Sequence, residues 1–143
     1  MQIRILGEPF EPWQELAAYE AEHPELKGMV GGLATFVGSM RDHNAGSQVQ
    51  AMELQHYPGM TDKFLERVMQ EAMKEWSLID AFIIHRYGAL MPGDPIVLVA
   101  AWAAHRDEAF KACRYMIDEL KTRAPFWKHE TTPEGQRWVT GTS

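Results

Sequence analysis

Only one cysteine, Cys113, occurs in the 143-residue chain. No internal disulfide can form, and nothing in the cysteine usage asks for an oxidising compartment. Long apolar runs are also lacking. The longest candidate, Ile96 to Ala104, is strand-sized and far short of the roughly 20 residues that cross a bilayer. The opening Met1-Gln2-Ile3-Arg4-Ile5-Leu6 lacks the extended apolar centre and small-residue cleavage site of a secretory signal. The expectation is a cytoplasmic protein without membrane attachment. No repeat, linker or low-complexity tract interrupts the sequence, and at this length one domain over 1–143 is expected.

Positive charge is scarce over most of the chain. Residues 1–103 hold 7 Lys and Arg against 14 Asp and Glu, whereas residues 104–143 hold 7 against 6. An acidic body disfavours nonspecific nucleic-acid binding, while cations gathered in one region still suit a small anion. A phosphate or carboxylate ligand is expected, and no nucleic acid. Nucleotide-binding loops are missing too, because Gly31-Gly32 has neither the lysine of a P-loop nor the GxGxxG spacing. His23, His43, His56, His85, His105 and His129 form no HxH, HxxxH or Cys-His group, so no metal is expected, and no motif calls for a cofactor. His105-Arg106-Asp107 resembles the kinase catalytic loop only by accident, since Ala112 stands where that loop needs Asn.

Alternation and three-to-four-residue spacing divide the chain into elements. Residues 2–6 read as a strand, 11–22 as a helix closed by His23-Pro24, Val30 to Met40 as β-rich, 41–47 as a polar turn and 49–56 as a second strand. Met60 to Trp76 and Asp107 to Arg123 have helical periodicity; in the second, Phe110, Cys113, Ile117 and Leu120 are assigned to the buried stripe. Ala81 to Tyr87 and Ile96 to Ala104 read as a hairpin around Pro92-Gly93-Asp94-Pro95, and Phe126 to Glu130 with Gln136 to Val139 as a last one. Hairpins mixed with about three helices predict an α+β, two-layer domain with a mostly antiparallel sheet.

Cys113 lies three residues from Phe110 and four from Ile117, which predicts a small buried apolar residue and not a nucleophile. The polar candidates are Arg41 at a strand end, His105 and Arg106 where a strand meets a helix, Lys121 in that helix's last turn and Lys128 in the next strand. Element ends are where a scaffold presents functional groups, and a helix N-terminus favours phosphate. Each residue taken singly also has an ordinary structural explanation. Together they support an enzyme or binder for a small anion.

Four segments add a resemblance over nearly the whole chain: Phe36-Val37-Gly38-Ser39-Met40-Arg41-Asp42-His43-Asn44, His56-Tyr57-Pro58-Gly59-Met60, Ala104-His105-Arg106-Asp107-Glu108-Ala109-Phe110, and Leu120 through Glu130. In order and spacing they resemble the large, catalytic subunit of molybdopterin synthase. That resemblance implies an α/β-hammerhead-like fold and a homodimer of large subunits. It also implies a small ubiquitin-like partner whose C-terminal thiocarboxylate supplies sulfur, giving a heterotetramer. The substrate it implies is cyclic pyranopterin monophosphate, converted to the dithiolene of molybdopterin. It further implies that Ser39, Met40, Arg41, His105, Arg106, Lys121, Lys128, His129 and Glu130 surround the pterin and the thiocarboxylate, with Lys121 and Lys128 at the reacting centre. Ser39-Met40 is a less typical filling before Arg41, which implies backbone contacts at that point. The chain ends at Ser143, soon after Trp138-Val139, whereas many relatives continue with a longer polar tail that can reach an active site, and whether a tail contributes an anion ligand stays open. A docking protein that only holds the ubiquitin-like partner is the rival class; it would not need Arg41, Lys121 and Lys128 together.

Overall fold

The structure, a computed structural model, describes residues 1–139; the C-terminal end on which the tail question turns lies outside them. Its centre is a four-stranded sheet in the order β1 (Gln2–Leu6), β6 (Asp80–Arg86), β8 (Pro95–Ala103), β2 (Gly32–Ser39). β1 runs parallel to β6, and the other pairings are antiparallel, with Ile83 opposite Val99 and Phe36 opposite Val99 on the other side. Every residue of β6 is buried, as are seven of the nine in β8. A strand covered on both faces reads as a continuous apolar run, which is how these two appear in the sequence.

Two helices cover one face. α2 (Met60–Glu75) turns Leu65, Val68, Met69 and Ala72 inward, and α3 (Arg106–Thr122) turns Ala109, Ala112, Cys113, Met116, Ile117 and Leu120 inward. Both stripes meet Ala81, Ile83, Val97, Val99 and Ala101 of the sheet. Phe110, assigned to the buried stripe, is instead 66% exposed, because the inward arc of α3 is centred on Cys113 and Met116 and leaves Phe110 at its outer edge. The opposite face is covered by α1 (Pro12–Glu22) and the short 3-10 turn Pro24–Leu26. Pro12 suits the first helical position, where its missing N–H costs nothing. Tyr19 stacks on Phe82 with centroids 4.4 Å apart and donates its hydroxyl to Asp80 at 2.7 Å.

A second, antiparallel sheet follows the order β10 (Gly135–Val139), β9 (Phe126–Thr132), β5 (Ala51–His56), β7 (Gly88–Leu90). It encloses its own small core of Met40, Val49, Met52, Leu54 and Leu90. The expected β6–β8 hairpin is present, but its connection carries β7, which leaves to pair with β5 through Met52 and Leu90. Residues expected as a polar turn form a ribbon of β3 (His43–Asn44) and β4 (Ser47–Gln48). Ala45 and Gly46, at φ 52° and 78°, give the two left-handed positions that a tight two-residue hairpin needs. The α+β class, the three α-helices and the mostly antiparallel pairing agree with the sequence. The second sheet and the placing of α1 on the far face are additions to it.

One glycine fixes the approach to α3. A Cβ on Gly31 would lie 1.9 Å from the carbonyl oxygen of Ala104, closer than any real contact, and the Gly31 N–H donates to Ala103 at 2.9 Å. The end of β8 is thereby pressed against the start of β2 just before the chain enters α3.

Candidate active site

Pro125 stops α3 and redirects the chain into β9, whose two-residue period then sorts its side chains. Phe126, Lys128, Glu130 and Thr132 share one face, with Glu130 and Thr132 buried. His129 falls on the other face, where its ring meets Trp138 of β10 at a centroid distance of 4.7 Å. Lys121, in the last turn of α3, and Lys128 both line a cavity of about 220 Å³ together with His85, Pro125, Phe126 and Trp127. A smaller adjoining hollow is lined by Ser39, Met40, Arg41, Asn44, Lys128 and Glu130. Lys128 belongs to both, so the two are parts of one wall.

Arg41 enters this wall from the end of β2. The Met40 N–H donates to the carbonyl of Asp94 at 2.9 Å, and the Gly93 N–H donates to the carbonyl of Met40 at 2.8 Å. The turn between β7 and β8 therefore grips the backbone beside Arg41, and the Met40 side chain is buried in the second core. Ser39 is exposed at the rim.

Electrostatics show that the three cations share one environment. Burial holds the Lys121 amine below its ordinary value, and the charge of Arg41 adds to this. Burial does the same to Lys128, reinforced by Lys121 and Arg41 and opposed by Glu130. Desolvated amines crowded by like charge release a proton more easily than free lysine and are poised to move protons or attract an anion. Cys113 has the opposite character: burial pushes its thiol up to about 11, which leaves no reactive thiolate near neutral pH.

Glu130 is 3% exposed, and both of its oxygens are engaged. Asn44 donates to one at 2.8 Å and Arg137 to the other at 2.9 Å, while a second Arg137 nitrogen donates to the Asn44 carbonyl at 2.8 Å. The carboxylate binds the β3–β4 ribbon to β9 and β10 and is committed to that task. Thr61, fully buried at the start of α2, accepts the Tyr57 N–H at 3.0 Å and donates to the Pro125 carbonyl at 3.0 Å. It fixes the segment between α3 and β9 that forms one lip of the cavity.

His105 and Arg106 are not part of this wall. They begin α3, and Lys121 lies fifteen residues further on, about 22 Å along the axis at ~1.5 Å per residue. His105 borders a separate surface depression with Trp76, Asp107, Glu108 and Lys111. Of the residues singled out from the sequence, Ser39, Met40, Arg41, Lys121, Lys128 and Glu130 come together, while His105, Arg106 and His129 lie elsewhere on the protomer. His85, Asn44, Arg137 and Thr61 escaped the sequence reading. No spacing marks them, and only the sheet pairing brings them to the site.

Fold and wall together define a class: an α+β protein that offers two half-buried amines, each lowered by desolvation and neighbouring charge, and a guanidinium to a small anion. Comparison with known proteins makes this specific. A model of the family described as MoaE protein matches residues 8–123. The molybdopterin synthase catalytic subunit of Pseudomonas aeruginosa is 50% identical over 141 residues, covering 99% of this chain and 91% of that protein. Among solved structures, a molybdopterin biosynthesis MoaE protein from Burkholderia ambifaria superposes with a TM-score of 0.81 at 50% identity, covering 99% of this chain and 90% of that one. A protein–protein complex of subunits 1 and 2 of molybdopterin-converting factor from Helicobacter pylori gives a TM-score of 0.78 at 20% identity, covering 96% and 90%; it speaks to the fold alone. The chain belongs to the MoaE family, that of the molybdopterin synthase catalytic subunits.

Proposed function

We infer that the protein is a sulfurtransferase that acts on a cyclic pterin monophosphate and builds the dithiolene of molybdopterin, and that it works in the cytoplasm. The observation that carries this reading is the convergence of Arg41, Lys121 and Lys128, from β2, α3 and β9, on one cavity wall where burial and mutual repulsion lower both amines. A guanidinium suits the phosphate, which it grips through paired N–H groups. The lysines suit the reacting centre.

The buried thiol of Cys113 supplies no sulfur, so sulfur enters from outside. A thiocarboxylate at the C-terminus of a small ubiquitin-like partner fits the cavity's preference for anions. Its sulfur forms a bond to a carbon of the pterin side chain as a carbon–oxygen bond at that carbon breaks, the oxygen leaving on the opened cyclic phosphate in one transfer and as water in the other; a further water then cleaves the acyl–sulfur bond, returning a carboxylate on the partner and a thiolate on the pterin. A neutral lysine amine takes up the proton released in that hydrolysis. Two such transfers complete the dithiolene. Glu130 acts through Asn44 and Arg137 and not as a proton carrier.

His105 and Arg106 reach the chemistry only if a second copy presents them, because a rigid helix separates them from Lys121 within one copy. A homodimer of this chain, with a small partner bound to each copy, satisfies that requirement. Mixing the protein with the thiocarboxylated partner and the pterin precursor tests the whole scheme. Dithiolene product is expected with the partner and none without it. Lys121→Ala and Lys128→Ala should each lower turnover by at least 100-fold, the usual scale for a proton-transfer group, while keeping the fold and partner binding. Near-normal turnover in both variants would refute the assignment.

A further inference from the structure

His85 on β6 lines the cavity beside Lys121 and Lys128 and has no part in the scheme above. It is buried, and its ring lies flat against Phe126, with centroids 3.8 Å apart and planes 15° from parallel. Its Nδ1 lies 3.0 Å from the carbonyl oxygen of Arg86. A carbonyl only accepts, so Nδ1 carries the hydrogen and donates it. In a neutral imidazole this leaves Nε2, on the opposite edge of the ring, as a bare acceptor.

Burial keeps the ring neutral, and the charges around it act in the same direction. Lys121 faces it from α3, Lys128 from β9 and His56 from β5, and all three disfavour a second proton. Burial is the larger influence, and together these hold the imidazole down at about 3 against the mild opposing pull of the Arg86 carbonyl. The other functional groups of the wall have a different character. Arg41 and the protonated lysines are donors, and the Glu130 oxygens are taken by Asn44 and Arg137. A flat heterocycle such as a pterin presents ring N–H, amino and hydroxyl donors as well as acceptors, and a donor edge set against these cations needs an acceptor beside them, because a donor left unpaired in the cavity costs free energy.

We propose that His85 is a substrate-binding residue: Nε2 accepts a hydrogen bond from the donor edge of the bound heterocycle, and the Nδ1–H link to Arg86 and the Phe126 stack hold it in position to do so. The proposal rests on the sulfur-transfer reading for the identity of the ligand. It goes beyond that reading by assigning orientation of the ring to a residue that carries no charge and moves no proton.

Two near-isosteric variants separate the two edges of the imidazole. His85→Asn keeps a donor for the Arg86 carbonyl and loses the acceptor in the cavity, whereas His85→Gln extends an amide to the Nε2 position. Calorimetric binding of the pterin monophosphate should weaken about tenfold in His85→Asn, the scale of one hydrogen bond. It should recover to within about threefold in His85→Gln, on that same scale. KM should follow the binding constant and kcat should stay within about twofold, as expected when a ground-state contact is removed. Imidazole ¹⁵N NMR of the unaltered protein should show a protonated Nδ1 and a bare Nε2 from pH 5 to 9, with Nε2 alone shifting when ligand is added.

Unchanged binding in a folded His85→Asn overturns the proposal. So does equal weakening in both variants with lowered melting temperatures, which marks a structural role only. If neither variant folds, an Nε2 resonance that ignores the ligand overturns it and one that shifts supports it. Ligand binding without product in the unaltered protein condemns the sulfur-transfer reading and leaves the His85 assignment to be judged by binding and NMR. Absence of any ligand binding removes both.

Discussion

A buried imidazole that stays neutral makes stability depend on acid. His85 titrates near 3 in the fold and near 6.5 in the unfolded chain. Below about pH 6.5 the unfolded chain takes up a proton that the folded protein refuses. Stability is therefore full above that value and falls as pH drops toward 3, by up to about 1.4 kcal/mol per pH unit from this group. The lowered amines of Lys121 and Lys128 have the same sign at the alkaline end, because the unfolded chain holds those protons longer and stability rises as pH approaches 10.5. Unfolding free energies from urea titrations at pH 7 and pH 5 should differ by about 2 kcal/mol more in the unaltered protein than in His85→Gln; parallel pH dependence in the two would count against a neutral His85. At this scale the sequence was informative about charge and silent about direction. Lys128, His129 and Glu130 all resemble site residues, but alternation turns His129 away and spends Glu130 on Arg137. His85, hidden in an apolar strand, is visible only once β6 is placed beside Phe126.

Among the elements, the β3–β4 ribbon is tied to the second sheet by polar contacts. Asn44 and Arg137 clamp it through Glu130, and Arg41 stands two residues before it in the chain. Arg137→Ala leaves a buried carboxylate half-satisfied, which should cost about 1–3 kcal/mol in the denaturant midpoint. It should also raise KM for the pterin through a displaced Arg41, and Arg137→Lys should restore stability in part but not the paired geometry. An Arg137→Ala protein with unaltered KM would show that Arg41 is held without the clamp. The long helices and the buried strands were legible because periods of 3.6 and continuous apolar runs persist over many residues. β3, β4 and β7, two or three residues each, are too short to carry a period. Phe110 was misjudged because apolar character alone does not say on which side of a helical arc a residue falls.

For the molecule as a whole, the length of α3 determines what one copy can do, since Arg106 and Lys121 mark its two ends. Two inactive proteins, Lys128→Ala and Arg106→Ala, should regain activity when mixed under conditions that let copies exchange, because one of the two sites in each mixed pair is then intact. Random pairing of equal amounts gives about a quarter of the unaltered activity, measured as dithiolene formed; no recovery would show that Arg106 serves another purpose. The sequence could not show this division, since chain order gives no distance between helix ends. Thr61 has a consequence of another kind. Its single hydroxyl joins the entry to α2 with the Pro125 carbonyl 64 residues later. Replacing it by valine, equal in shape but mute as a donor, should let amide protons at Tyr57 and along the start of β9 exchange with solvent sooner while the central sheet keeps its protection. The mouth of the cavity would then open and close independently of the body that carries it.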